Sequence, residues 1–344
     1  MATLKQLLDW KRLVGLLVAL GLLFATFYKI NFEELWATLE RVNLWLLLGA
    51  FVSAILMNCA KAMRWGEIMK GAKVIRPMRI LALFHLGQMI NLSLPVLTGQ
   101  AGRVVMVAKQ EGLSKTFCLT TVVMEVLFDG LSLIVLIYLS SFIFSFPDWV
   151  RQAEIYAALG VSALILLLVL ILRNQRALAY FGKTKIRRRF PKFYCKLQQI
   201  AKSVTDGLHT LRSMKQILKV SAYSVLVWIC HVGVACTLIM AFKLDVPVWA
   251  GVVVIIVNSI LLLVPISPGN IGSFQLAVFG ALAMFSVSKS EAVAFSLVLH
   301  LMDLAPVFLV GIGFLFTNQL TFSRLREEAV AAVDDVDCPE RIQS

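Results

Sequence analysis

The sequence predicts an all-α polytopic membrane protein with six full spans and two re-entrant helical hairpins in inverted-repeat halves. Hydrophobic residues make up 59% of the 344-residue chain and charged residues only 15%, whereas about a quarter of a soluble domain is charged. The apolar residues lie in long runs, and the chain has room for roughly six to eight spans of about 20 residues. Two of the runs are broken by proline, glycine and amide residues, which predicts the hairpins.

Six unbroken runs have the length of a membrane-crossing helix. They cover residues 13–30, 44–60, 118–145, 154–172, 220–242 and 291–318. The first run follows Lys5, Lys11 and Arg12 as in a signal peptide, but it lacks a small-residue cleavage site, so we interpret it as an anchor. The six cysteines form no CxxC pair and lie mostly in apolar runs, which favours packing roles over disulfides or metal ligands.

The charges between the runs predict the orientation. Segment 173–219 carries thirteen Lys and Arg residues against the single acid Asp206, segment 61–79 is also basic, and segment 31–43 is acidic. Cytoplasmic loops are enriched in Lys and Arg. We therefore expect a multi-pass protein of the cytoplasmic (inner) membrane with both termini in the cytoplasm. Segments 31–43, 146–153 and 243–248 should then lie outside.

The two broken runs cover residues 80–117 and 249–288. Given the orientation above, the first must begin and end inside and the second must begin and end outside, so both are predicted to be re-entrant. Pro95-Val-Leu-Thr-Gly99-Gln100-Ala-Gly102 matches Pro265-Ile-Ser-Pro-Gly269-Asn270-Ile-Gly272 at an offset of 170 residues. Interrupted segments at matching positions of inverted halves indicate a binding site at the membrane midplane. The alternative is a pair of kinked, packed helices.

Polar residues in and around these breaks are the candidate site. Broken helices leave free N–H groups and partial positive charge at their N-termini, which suit a phosphate or carboxylate. A charge at the bilayer centre costs about 2.5–3.5 kcal/mol, so acids within spans indicate a function, or else pairs that lock helices together. The predicted substrate-binding residues are Asn91, Pro95, Gly99, Gln100, Gly102, Arg103, Glu125, Asp129, Pro265, Pro268, Gly269, Asn270, Gly272, Gln275, His300 and Asp303.

Spacing adds three expectations about these residues. Glu125 and Asp129 lie one turn apart on one face, as do His300 and Asp303, and Arg103 is expected to pair with Glu125 or Asp129. His85 and His231 are interpreted as hydrogen-bonded packing residues.

The polar segments outside the spans have their own predicted structures. In the basic segment 173–219, apolar residues recur at helical spacing from Phe193 to Leu211, which predicts an amphipathic helix on the inner leaflet. A solvated loop is the alternative. Residues 1–320 form a single transmembrane domain, and the acidic tail 321–344 is predicted to be disordered.

These segments resemble the flippase-like family that includes the membrane domain of lysylphosphatidylglycerol synthase. The resemblance rests on Asn91-Leu-Ser-Leu-Pro95 with Gly102, Glu125-x-x-x-Asp129, and Pro265-Ile-Ser-Pro-Gly269-Asn-Ile-Gly272. It spans nearly the whole predicted membrane region and implies re-entrant hairpins in inverted halves and translocation of lipids with modified or glycosylated heads. The chain departs from the family pattern at Arg103, Val126 and Gln275, where an acid, an arginine and an acid are expected.

Together, these features predict a lipid flippase or transporter. Its cargo would be a lipid with an anionic or glycosylated head group, such as a polyprenyl-phosphate-linked sugar or a modified phospholipid. The alternatives are a membrane-embedded transferase, or an accessory subunit of a lipid-modifying or glycosyltransferase complex, in which Glu125 and Asp129 act as base or metal ligands. A scaffold that docks a partner enzyme is a third alternative.

The motifs that the sequence lacks and the position of its charge argue against further classes of function. The sequence contains no GxxxxGK[ST], HExxH or GxSxG motif, so we expect neither enzyme activity nor a cofactor. The net charge of +13 is concentrated in loops, which favours anionic membrane lipids over nucleic acid as partners. A lipid-modifying or glycosyltransferase enzyme is the candidate protein partner.

Overall fold

The regular structure is helical throughout the described part of the chain. The computed structural model describes residues 21–22, 24, 26–93, 96–143, 213–261 and 268–317, with isolated positions between 152 and 162. The helices are α1 Phe32–Glu40, α2 Leu44–Met69, α3 Pro77–Ser93, α4 Val96–Glu111, α5 Lys115–Ile143, α6 Met214–Phe242, α7 Ala250–Leu261, α8 Ser273–Ala283 and α9 Lys289–Thr317.

Four of these helices are long and apolar enough to cross a membrane. They cover Leu44–Met69, Lys115–Phe142, Met214–Phe242 and Lys289–Phe316, which correspond to α2, α5, α6 and α9 and confirm four of the predicted spans. The run 154–172 and most of 13–30 lie outside the described residues, as do segment 173–212 and the tail 321–344. The chain is therefore a multi-pass membrane protein.

Two predicted boundaries are wrong because a charged residue ends a hydropathy run without ending the helix. Helix α2 continues to Met69, so Lys61 and Arg64, assigned above to a cytoplasmic loop, lie within it, and Arg64 is buried. Helix α6 begins at Met214, so the last residues of the predicted amphipathic segment 173–219 belong to a span-length helix instead.

Side-chain caps set the beginnings of several helices. The side chain of Asn31 accepts hydrogen bonds from the backbone N–H groups of the first turn of α1, and Asn43 does the same for α2. Ser213 caps α6 by accepting from Gln216 N–H. These bonds satisfy donors that have no partner within the helix.

The first broken segment folds as an antiparallel pair, α3 and α4, which we call hairpin 1. Near its tip the two helices approach so closely that a Cβ on Gly99 would overlap the backbone of Asn91. At its base, Arg79 Nε donates to Glu111 Oε1 at 2.9 Å. Because the helices touch at both ends, hairpin 1 is a packed pair of helices rather than a kinked single helix.

The second broken segment folds as α7 and α8, which pack against each other and which we call hairpin 2. A short 3-10 turn, Pro268–Asn270, precedes α8. Three residues here have left-handed backbone angles, with φ of 58° at Gly269, 58° at Asn270 and 88° at Gly272. Glycine adopts such angles without steric cost, which explains its presence at two of these positions.

Helices α2 and α6 lie antiparallel along their whole length and form the most extensive helix pair of the described chain. The backbone N–H of Asn43, before α2, donates to Ala241 O at the end of α6. At the opposite end, Gln216 Nε2 donates to Glu67 O at 2.6 Å. The two span–hairpin–span units, α2 to α5 and α6 to α9, therefore begin with helices that run in opposite directions.

The apolar core is divided into two main clusters, one around each hairpin. The larger surrounds hairpin 2 and includes Ala54 of α2 and the stretch 292–302 of α9. The other surrounds hairpin 1 and includes Trp65 of α2 and Val307 of α9. Helix α9 contributes to both, and Pro306 lies within it between the two contributions.

Candidate functional site

Arg103 lies on α4 and forms a closed ion pair with Glu125 on α5. Arg103 Nη2 is 2.8 Å from Glu125 Oε2, and the two side chains are only 3% and 7% exposed. The guanidinium carbon lies 4.7 Å from the centroid of the Trp65 ring and 5.2 Å from that of Phe84. Aromatic faces stabilise a buried cation. The predicted pairing of Arg103 with one of the two acids is confirmed, with Glu125 as the partner.

A second pair joins Arg64 on α2 to Asp129 on α5. Arg64 Nη1 donates to Asp129 Oδ1 at 2.6 Å and Nη2 donates to Oδ2 at 3.0 Å, so the contact is bidentate. Arg64 Nη1 also donates to Ser224 Oγ on α6 at 3.2 Å. The Arg64 side chain is 1% exposed but that of Asp129 is 42% exposed. This pair, unlike the first, can be reached from outside the protein.

Arg64 is a candidate site residue that sequence reasoning missed. It follows the end of the apolar run at residue 60, where the sequence predicts a basic loop. The spacing of Trp65, Ile68 and Met69, all buried, continues the helical pattern past that point and is the signal that could have placed Arg64 inside the protein.

The tip of hairpin 2 is held by a chain of hydrogen bonds from Gln275 and His300. Gln275 Oε1 accepts from Gly272 N–H at 2.7 Å, and Gln275 Nε2 lies 3.0 Å from His300 Nδ1. His300 Nε2 lies 3.0 Å from Gly269 O. Because Gly272 N–H can only donate and Gly269 O can only accept, the chain is consistent only with a neutral His300 protonated on Nε2.

The tips of the two hairpins touch although 170 residues separate their motifs. A Cβ added to Gly269 would lie 3.7 Å from Leu92 O on α3, which is ordinary van der Waals contact. The turn Pro268–Asn270 also packs against helix α3. The tips of the two hairpins are therefore in contact.

Other predicted site residues are spread around these tips. In hairpin 1, Asn91 Nδ2 donates to Gln88 Oε1 at 3.3 Å, Gly99 and Gly102 are buried, and Gln100 Oε1 is buried with no hydrogen-bond partner among the described residues. Pro95, Pro265 and the side chain of Pro268 lie outside the described part.

Asp303 lies away from the polar contacts of its own hairpin. Although it shares a face of α9 with His300, it lies beside His231 on α6, with Asp303 Oδ1 3.8 Å from His231 Nε2. Within the described ranges, no three His, Cys, Asp or Glu side chains are placed to hold a metal ion. The roles of the predicted site residues in binding stay predictions.

The fold and its interior charges define a polytopic helical membrane protein built from spans and short-helix hairpins. The lysylphosphatidylglycerol synthase TM region family matches residues 12–311, so the chain belongs to this family, as the motifs indicated. No curated protein and no solved structure matches the chain significantly. The family relation connects the chain to membrane lipids.

Proposed function

We propose that this protein moves a lipid with an anionic or glycosylated head group across the cytoplasmic membrane. A polyprenyl-phosphate-linked sugar and a modified phospholipid both have suitable head groups. The observation that carries the proposal is the contact between two hairpin tips from opposite halves, beside two arginine–carboxylate pairs inside the helix bundle. Such hairpin tips are where transporters bind their substrates.

Helix lengths support re-entrance of hairpin 2, and a contact at the base supports it for hairpin 1. Helices α7 and α8 have 12 and 11 residues, or about 18 and 16 Å at 1.5 Å per residue, against roughly 30 Å of hydrocarbon. Neither can cross the membrane alone. In hairpin 1, the contact of Arg79 with Glu111 returns the chain to the side from which it started. The antiparallel directions of α2 and α6 support the proposal that the two units are inverted repeats.

Arg64 and Asp129 form the pair best placed to meet a head group. An exposed carboxylate near the middle of a membrane helix is costly unless it faces a water-filled cavity, so the 42% exposure of Asp129 indicates such a cavity. A phosphate can take the place of the Asp129 carboxylate on Arg64, because the planar guanidinium binds both groups through two parallel hydrogen bonds. Arg103 with Glu125 stays closed and supports the hairpin.

Transport is favoured over the transferase alternative by the state of the two carboxylates. A catalytic base or a metal ligand needs an available carboxylate, and arginines neutralise both Glu125 and Asp129. We propose that the protein is not an enzyme. In this proposal its partners are anionic lipids, and a lipid-modifying or glycosyltransferase enzyme would supply or use the cargo.

The test is a head-group accessibility assay in proteoliposomes. Vesicles of phosphatidylethanolamine with a trace of head-group-labelled phosphatidylglycerol, or of a labelled polyprenyl phosphate, are treated with an impermeant quencher. The wild type should expose the inner-leaflet label, and Arg64→Gln and Asp129→Asn should slow this at least tenfold. The exposed loop residue Arg76 provides the control variant Arg76→Gln, which should act like the wild type.

Two results would contradict the proposal. One is a wild type that moves neither probe faster than protein-free vesicles. The other is a loss of transport in the variants that only follows a loss of thermal stability, which would make the pair structural.

A further inference from the structure

Three ionisable side chains meet at the seam between the two apolar clusters. Lys61 on α2, His231 on α6 and Asp303 on α9 all lie well inside span-length helices. The residues of α9 up to Met302 belong to the cluster around hairpin 2, and those from Val307 onward belong to the cluster around hairpin 1. Asp303 therefore occupies the boundary between the halves of the protein.

No hydrogen bond joins His231 to Asp303, although their side chains face each other. His231 Nε2 and Asp303 Oδ1 are 3.8 Å apart, too far for a hydrogen bond. Both atoms are buried, and neither has a hydrogen-bond partner among the described residues. Lys61 is close enough to act electrostatically on both side chains. Buried polar atoms of this kind are costly when they lack partners, so the arrangement needs a reason.

We propose that His231 and Asp303 bind a single proton between Nε2 and Oδ1, and that this proton is coupled to lipid movement. One proton, shared after a small approach of α6 to α9, satisfies both atoms at once. It is taken from water on one side of the membrane and released to water on the other, with no other bond made or broken. The coupling rests on the transport function proposed above.

The neighbouring titratable groups already have hydrogen-bond partners within the protein. Both ring nitrogens of His300 on α9 have partners, in Gln275 and Gly269. The carboxylate of Asp129 on α5 is held by Arg64, and His85 Nδ1 on α3 lies 2.8 Å from Leu81 O. Among the described residues, the charged group that acts on the pair is Lys61. A proton that enters the seam therefore binds at His231 and Asp303.

Charge balance explains how proton binding and lipid binding are linked. With Asp303 ionised and His231 neutral, the charge of Lys61 is balanced. Binding of the proton leaves the seam with a net positive charge, which favours an anionic head group in the adjacent bundle and is costly without one. Proton and anion should therefore bind together, each raising the affinity for the other.

The experiment uses the same vesicles of phosphatidylethanolamine and labelled phosphatidylglycerol, now with an imposed pH gradient of one unit. If one proton moves with each lipid, the wild-type steady-state lipid distribution shifts by about tenfold. Asp303→Asn and His231→Gln should abolish this shift. Asp245→Asn makes the same chemical change in an exposed loop and should leave the shift intact. A shift that persists in both seam variants would overturn the proposal.

A second measurement separates the proton site from the transport function. Thermal unfolding in detergent is followed from pH 5 to pH 8 for the wild type and Asp303→Asn, and the difference between them should change with pH. A constant difference overturns the proton site. A pH-dependent difference in a protein that moves no lipid supports the site and contradicts the proposed function. Lipid movement that does not respond to the pH gradient contradicts only the coupling between proton and lipid.

Discussion

At the scale of single residues, two buried arginines are each matched with a carboxylate on another helix. Arg103 and Arg64 both point to α5, where Glu125 and Asp129 lie one turn apart. Burial of an ion is offset only when its partner and further contacts are present. Arg103 has such contacts in Trp65 and Phe84. The two pairs thus fix how α2, α4 and α5 sit together.

Replacing one partner of the Arg103–Glu125 ion pair should destabilise the protein more than replacing both. Glu125→Gln leaves the Arg103 charge buried and should destabilise the protein by about 3–5 kcal/mol, whereas the double variant Arg103→Met with Glu125→Met should be much closer to the wild type. Thermal unfolding of the wild type, the single variants and the double variant in one detergent measures the coupling. Additive losses would show that the two side chains do not stabilise each other.

The residue scale also shows where sequence reasoning reached its limit. The pairing of Arg103 was predictable because the residue follows a recognised motif and two acids lay on one nearby helix face. The link of Gln275 to His300 crosses 25 residues, and nothing in the spacing marks it. The interpretation of His231 as a packing residue does not include its contact with Asp303, since this contact joins two helices whose adjacency the sequence does not reveal.

At the scale of helices, close backbone contact holds hairpin 1 together. Helices α3 and α4 approach at Gly99 until a Cβ would overlap Asn91, and a Cβ on Gly87 would lie 2.7 Å from Cγ of Arg103. Gly99, which lies within α4, thus allows the two helices of the hairpin to pack closely. The positive φ values lie instead at Gly269 and Gly272 of hairpin 2.

A pair of glycine substitutions tests this packing. Gly99→Ala should destabilise the protein by about 1–3 kcal/mol, because the added methyl must push two backbones apart. Gly130→Ala is the matched control, since a Cβ there meets nothing within 4 Å and alanine favours the helix by up to about 1 kcal/mol. Thermal unfolding measures both. Equal behaviour of the two variants would contradict the close approach of α3 and α4.

The base of hairpin 1 should be sensitive to acid. Burial opposes ionisation of Glu111, but hydrogen bonds from Lys73 and Arg79 outweigh it and hold the pKa of that carboxyl below its usual value near 4.5. A lowered folded-state pKa gives stability that is present above the usual value and is lost as the pH falls through the folded one. Glu111→Gln should therefore be less stable than the wild type at pH 7.

This difference between Glu111→Gln and the wild type should shrink as the pH falls below 4.5. Thermal unfolding at several pH values measures it, with Glu33→Gln in the exposed first turn of α1 as the control. A difference that does not change with pH would mean that the carboxylate charge does not hold the base of the hairpin.

At the scale of helices the sequence was most informative. Hydropathy found α2, α5, α6 and α9, because a span must be apolar over nearly its whole length. The proline and glycine breaks predicted both hairpins, because irregular backbone within a membrane must be buried in protein or line a polar cavity. Helix ends were placed less well. Arg64 shows that a paired charge can lie within a helix, and α6 begins before the apolar run that predicts it.

At the scale of the whole molecule, two units of the order span, hairpin, span face each other through antiparallel α2 and α6. Each hairpin has its own apolar cluster, and the hairpins meet at their tips. Helix α9 runs from one cluster to the other past Asp303 and Pro306. In the proposed transport cycle, one half moves against the other while the binding site between them stays in place.

The two hairpins are expected to enter the membrane from opposite sides and to meet within it. Labelling of single cysteines with an impermeant maleimide, in a variant whose native cysteines are replaced, tests the sides of entry. Cysteines at Lys73 and Leu113 flank hairpin 1, and cysteines at Asp245 and Ser286 flank hairpin 2. We expect the first two to label only from the cytoplasmic side and the other two only from outside. Labelling of all four from one side, or labelling of either flanking pair from opposite sides, would contradict entry of the hairpins from opposite sides.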